Sequence, residues 1–403
     1  MPRFECPDRE IEEIYHFRWW TFRKHIKQTP DGFVITEFLP KVSWSGKHNT
    51  ISCPAGHHFR EGRWIADGKY LDDYAVFWFR KGGSPRRYSF WAADAILQYA
   101  LVRGDFSQAI DLLPELVANH EAWEESRLEP DGLFWQIDDR DGMEVSIGGK
   151  NHRGQGKRPT INSYMYGDAV AIAEIAERAG KPELAKSYRG KAEQLKKLVL
   201  EKLWDEGAGF FKVLPRGDDA TLADVRELHG YTPWYFRLPP PGKGYERAWK
   251  QLMDPEGFLA PFGPTVAEQR HEGFTVSYTG HECQWNGPSW PFATTVTLTA
   301  LANVLHDYPQ NEISKEDYFR LLNTYTKSHR LKREDGKVVP WIDENLNPET
   351  GDWIARTRLK SWKTGTWDPG KGGAERGKDY NHSAYCDLII SGLIGLRPRA
   401  NAT

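Results

Sequence analysis

Two helical stretches, 162–179 and 183–204, are separated only by Gly180-Lys181-Pro182, and that break constrains the fold of this 403-residue chain more than any other feature. Glycine ends a helix in the left-handed conformation, and proline is tolerated in the first turn of the next. The pair therefore reads as two antiparallel helices joined by a short turn. The same rhythm recurs. A helix over 90–102 stops at Gly104, and 106–127 repeats apolar residues at Ile110, Leu113, Leu116, Val117 and Trp123. Further helices are expected over 245–253, 290–305, 314–330 and 383–394. Helix pairs alternating with Gly-, Pro- and aromatic-rich loops predict an all-α toroid of helical hairpins, with the loops at one mouth carrying the site. Residues 1–85 read differently. Phe33-Val34-Ile35-Thr36 is strand-like and the segment is rich in His and Gly, so we expect an irregular or short-strand N-terminal arm packed on a barrel of residues 86–403. The stretch 356–380, rich in Lys, Gly and Trp, reads either as a long loop bordering the pocket or as a disordered surface excursion.

Charge narrows the partners. A net charge of −2 and a pI near 6.7 leave no basic footprint for nucleic acid and no polybasic membrane anchor. With 39% hydrophobic residues the chain can bury one large core. Cys6, Cys53, Cys283 and Cys386 are scattered, without metal-site or disulfide spacing, so free thiols are expected and zinc is not. Met1-Pro2-Arg3-Phe4-Glu5 lacks the charged-then-apolar pattern of a leader, which points to a cytoplasmic protein.

Three loops carry candidate chemistry. Trp341-Ile342-Asp343-Glu344-Asn345-Leu346-Asn347-Pro348-Glu349-Thr350-Gly351 sets acids beside an Asn-Pro-x-Thr-Gly turn. A carboxylate that activates water needs such a fixed loop, although a plain solvated turn has the same composition. Asp138-Asp139-Arg140-Asp141-Gly142-Met143-Glu144 crowds four carboxylates into seven positions, next to Trp135. Crowding raises at least one pKa if the loop is desolvated, as a general acid requires; a solvated loop or a calcium site are the alternatives. Glu282-Cys283-Gln284-Trp285-Asn286-Gly287-Pro288-Ser289-Trp290 interleaves indoles with carboxamides, which suits sugar C–H faces and hydroxyls. Among 17 tryptophans, core packing is the alternative.

In this order the segments resemble the inverting six-hairpin glycoside hydrolases of the trehalase and glycoside hydrolase family 63 group. Gln284 to Trp290 is similar to the trehalase signature Gln-Trp-Asp-Ala-Pro-Asn-Gly-Trp and to Tyr-Trp-Arg-Gly-Pro-x-Trp of family 63. Asp141-Gly142-Met143-Glu144-Val145-Ser146 resembles Ser-Gly-(Trp or Met)-Asp-x-Ser, which puts Glu144 at the general acid, with Asp141 as a rival. Glu344 falls on the base of Glu-x-Tyr-Asn-Pro-x-Thr-Gly, Leu346 replacing Tyr. Pro85-Arg86-Arg87-Tyr88-Ser89-Phe90-Trp91 resembles the first trehalase signature, and 54–61 offers a competing match. Leu203-Trp204-Asp205 with Gly209-Phe210-Phe211 resembles a link that recurs in (α/α)6 barrels.

The resemblance implies an (α/α)6 barrel that cleaves a terminal glycosidic bond of an oligosaccharide or small glycoside with inversion, without metal or cofactor. Glu144, Glu344 and Asp141 would be the catalytic candidates. Arg87, Trp91, Trp135, Gln284, Trp285 and Trp290 would bind substrate. Two other readings stay open. His57, His58, His271, His281 and His382 keep a sugar epimerase or isomerase on the same barrel in play, because His titrates near neutrality. A noncatalytic carbohydrate-binding barrel is the other.

Overall fold

The computed structural model describes residues 1–150, 153–217, 221–276, 281–355, 373 and 376–399. Its helices are α1 (Arg9–His25), α2 (Ala55–Gly62), α3 (Lys69–Arg80), α4 (Ala92–Arg103), α5 (Ser107–Asp111), α6 (Leu113–Arg127), α7 (Pro159–Arg178), α8 (Pro182–Lys202), α9 (Thr232–Tyr235), α10 (Pro291–Asp307), α11 (Lys315–Ser328) and α12, which is Tyr385–Asp387 continued as a π turn over Leu388–Leu393. Among the described residues six of them close a ring by contact: α2 with α4, α4 with α7, α7 with α9, α9 with α10, α10 with α12, and α12 with α2. Outside it, α1 packs on α12, α6 and α8 on α7, and α11 on α10.

Burial explains the two layers. α10 is buried from Pro291 to Val304 without interruption, and α7 is buried on nearly every side, as a helix enclosed by others must be. In α8 only Ala185, Tyr188, Ala192, Leu195 and Val199 are buried, a stripe at helical spacing that marks an outer helix with one wet face. The expected punctuation is present. Gly104 and Gly180 have φ of 67° and 68°, and Pro182 opens α8. The helix expected over 106–127 is instead two, α5 and α6, divided at Leu112. Pro114 in the first turn of α6 has no N–H to give, and its ring displaces the carbonyl one turn back.

Residues 1–85, the segment expected as an arm, do hold a short hairpin, with Ile26–Thr29 paired to Gly32–Ile35. They also supply α1, α2 and α3, and α2 stands in the ring itself. Arg18 of α1 donates to Ser383 Oγ (2.9 Å), and His25 Nε2 bonds the carbonyl of Asp379 (2.7 Å), so the two ends of the chain are tied together. Most of the loop expected over 356–380 lies outside the described residues.

Candidate active site

The loops that enter the ring helices at their N-terminal ends are stitched to one another through the backbone. Trp285 N–H donates to the Val145 carbonyl (3.0 Å), beside a parallel bridge between Ser146 and Trp285. On its other side the same segment pairs antiparallel, with Ser289 and Leu346 exchanging two bonds of 3.0 Å. The aromatic motif therefore lies between the loop of Glu144 and the loop of Glu344 and sets their spacing. Two glycines permit the close approaches. A Cβ on Gly142, at φ 79°, would stand 2.7 Å from Cys53 Sγ, and one on Gly287 would stand 2.1 Å from the Thr275 carbonyl. The Asn-Pro-x-Thr-Gly stretch is a closed turn, in which Asn347 Oδ1 accepts from the N–H of Glu349 and Gly351 N–H returns to the Asn347 carbonyl.

A cavity of about 320 Å³ opens between these loops, and Glu144, Glu344, Glu282, Glu37, Arg376 and Trp290 are on its wall. Burial, reinforced by the charge of Glu344, pushes the Glu144 carboxyl up to about 8. Glu344 is 2% exposed. Burial pushes it up to about 7, against the pull of the Arg376 guanidinium, which bonds it at 2.7 Å and reaches Glu282 at 3.4 Å. Arg376 in turn lies over the rings of Phe38 and Trp44, 5.3 and 5.2 Å from their centroids. Glu37 is raised well above the carboxylate range by burial and by Glu344. Glu37, Glu144 and Glu344 thus share one small space, where a low dielectric penalises full ionisation and retains a proton.

The other expected residues sort differently. Asp141 is buried behind the wall, where it accepts from Arg158 Nε (3.0 Å) and from Thr160 Oγ1, so it ties the acidic loop to the start of α7. Arg87 is exposed and off the cavity wall. Trp91 is 1% exposed and sits in the core between His57 and Tyr164. Trp135 lies between the guanidinium groups of Arg127 and Arg216, away from the cavity. Gln284 is buried and its backbone carbonyl accepts from Trp290 Nε1 at 2.7 Å. Trp285 stacks face to face on Trp290, 4.5 Å between centroids, and of the two indoles Trp290 reaches the cavity. Of the histidines, His281 and His382 line it; His58 is held in the core by Tyr74 and Asn381, and His271 lies beside Asp224 (3.3 Å). His57 is buried with no hydrogen-bond partner among the described residues, and burial drives its pKa down to about 3. His382 stands 3.2 Å from Glu37, and burial drives its pKa well below the usual range.

Sequence reasoning missed Glu37, Arg376, Tyr380 and Trp44. Glu37 sits in no recognisable pattern, so no local signal marks it, whereas Arg376 and Tyr380 fall in the 356–380 stretch expected to border the pocket, although no motif singled them out. Glu282 opens the aromatic motif but was not singled out as a site residue. Among the described residues no group of three or more His, Cys, Asp and Glu side chains converges as metal ligands, and no helix is long and apolar enough to cross a membrane.

Known proteins resemble this chain in sequence and in fold. Residues 47–383 match the family model of the mannosylglycerate hydrolase MGH1-like glycoside hydrolase domain. A solved structure titled "Sialidase" is 42% identical with a TM-score of 0.90; it covers 100% of this chain, which spans only 35% of that protein's length. The GH63 mannosylglycerate hydrolase from Thermus thermophilus, solved with Tris, is 11% identical over 93% of this chain and 100% of its own, with a TM-score of 0.64. Neutral trehalase Nth1 from Saccharomyces cerevisiae is 12% identical over 99% of this chain and 83% of its own, with a TM-score of 0.59. The last two share the fold. The chain belongs to the MGH1-like glycoside hydrolase family and is an (α/α)6-barrel glycoside hydrolase.

Proposed function

We propose that this chain hydrolyses the terminal glycosidic bond of a short oligosaccharide or small glycoside with inversion, Glu144 acting as general acid and Glu344 as general base. The observation that carries the reading is that two glutamates on separate loops, Glu344 buried and Glu144 half-buried, line one small cavity with both pKa values raised into the neutral range, Glu144 to about 8 and Glu344 to about 7. Near neutrality Glu144 holds a proton to give to the leaving oxygen. Glu344, kept partly ionised by Arg376, takes the proton of the attacking water. Trp290, on the cavity wall, would supply an indole for apolar contact with a sugar ring. At about 320 Å³ the cavity is at the small end of ligand pockets, which favours a short substrate and attack at a chain end. The names of the mannosylglycerate hydrolase and trehalase neighbours point the same way, toward small soluble glycosides. Epimerisation is less well supported, because the side chains drawn into the neutral range are glutamates, whereas His382 is driven out of it.

The test is stereochemical. With a panel of small glycosides as substrates, proton NMR of the first-formed sugar should show the anomer opposite to the linkage cleaved. Retention of configuration refutes the water-activating role of Glu344.

A further inference from the structure

A second cavity of about 290 Å³ lies at the other end of the ring axis, and every ring helix contributes a side chain to its wall. Asn303, on that wall, is twelve residues along α10 from Pro291, where the catalytic loops enter; at helical rise this is about 18 Å. Four guanidinium groups face the space, those of Arg60, Arg63, Arg237 and Arg397. Their compensation is incomplete. Arg60 and Arg63 share one carboxylate, Asp387, at 2.7 Å each. Arg237 pairs with Asp307 at 2.6 Å. Arg397 has no carboxylate within ion-pair reach among the described residues, and donates instead to Asn303 Oδ1 at 2.9 Å.

That oxygen is itself built into place. The Asn303 amide nitrogen donates to the carbonyls of Trp234 and Tyr235 (3.1 and 2.9 Å), so the carbonyl oxygen is turned toward the cavity, where Arg237 also donates to it (3.1 Å). Two cations thus converge on one neutral acceptor. Arg237 is held there with a left-handed backbone, φ 56°, a conformation that costs on the order of 1 kcal/mol or more in a non-glycine residue and tends to persist where a site requires it. Burial, with Arg237 and Arg60 adding repulsion, pulls Arg397 down to about 10. Asp94, the carboxylate on the same wall, is pushed up to about 6 by burial, so it compensates less than a surface aspartate would.

We propose that this cavity binds a small tetrahedral oxyanion, phosphate free or as the head of a phosphorylated metabolite, with Arg397 as its principal partner. Guanidinium donors match such an anion in planar, charge-assisted bonds. The site is independent of the catalytic reading, since it shares no wall residue with the catalytic cavity. Because Arg397 belongs to the tail that follows α12, an anion there would tie that tail to α2 and α10, and a ligand bound only by the folded state raises stability.

The experiment uses the whole chain in a zwitterionic buffer, titrated with sodium phosphate or with sodium chloride at equal ionic strength, and reads Tm and calorimetric affinity. Phosphate should raise Tm saturably and chloride should not. Arg397→Gln should raise the phosphate half-saturation about tenfold or more, the loss expected for a charge-assisted partner. Val170→Glu, on the exposed rim of the same cavity, leaves the tail intact, supplies a carboxylate in place of the anion, and should weaken phosphate similarly. Glycerol 3-phosphate distinguishes the sources: equal responses assign the free ion, and a response to the ester alone assigns the metabolite. Chloride matching phosphate, no response to either phosphate compound, or an unchanged response in both variants overturns the site.

Discussion

Replacing Glu144 by Gln keeps the shape of the protonated acid and removes its charge, so it tests the electrostatics of the site apart from its packing. In the folded chain burial, with Glu344 adding to it, holds this carboxyl at about 8 where 4.5 is ordinary. The folded state therefore binds the proton more tightly than the unfolded one. The stability this contributes is fully present below 4.5 and is lost as pH rises through about 8. At 1.36 kcal/mol per pH unit the whole interval corresponds to about 5 kcal/mol. Glu144 is half-buried on a cavity wall and titrates together with Glu344, so water and coupling reduce this to about 1–3 kcal/mol. Glu144→Gln should accordingly be more stable than the parent chain by that amount near pH 9, and equal to it near pH 4. Urea denaturation across the range reads the difference, while turnover of substrates with poor leaving groups falls about a hundredfold or more. A variant less stable than the parent near pH 9 would mean that Glu144 is ionised and well paired in the fold. Such a group is no proton donor, and the assignment would fail.

The same carboxylate pair predicts a bell-shaped pH profile of kcat/KM with its maximum between about 7 and about 8. Arg376→Gln removes the cation that lowers Glu344, so its pKa rises, the base stays protonated to higher pH, and the acidic limb should move upward; an unmoved limb in the pH–rate profile would show that Arg376 does not hold the base. For the indoles, Trp285→Ala should cost about 3–5 kcal/mol of stability as a core truncation, whereas Trp290→Ala should raise KM about five- to tenfold through lost stacking. Thermal unfolding and steady-state kinetics on the two variants decide between them, and the reverse pattern would place Trp285 at the substrate.

The local features were legible in the sequence because local chemistry produces them. Gly180 and Pro182 dictate the turn between α7 and α8 whatever surrounds them, Gly104 ends α4, and Asn347 closes its own turn around Pro348. Glu344 was marked by the Asn-Pro-x-Thr-Gly turn beside it, and Glu144 by the crowded acidic loop and the motif it resembles, with Asp141 as a rival. Misreadings arose where partners are distant. α2 is eight residues long and carries two adjacent histidines, a weak helical signal, and it is a ring helix because α4 and α12 bury it. Arg87 matches a motif but faces solvent, while Arg376, in no motif, reaches Glu344. Trp285 and Trp290 are equivalent as letters, and only their placement in the fold shows that Trp290 meets the cavity. By itself the sequence determined the helical hairpins, the toroid they build and the loops that bear Glu144 and Glu344. Tertiary structure alone decided which side chains share the cavity and which proton stays there, since burial and the charges of remote neighbours set a pKa and neither is written in the residues beside it.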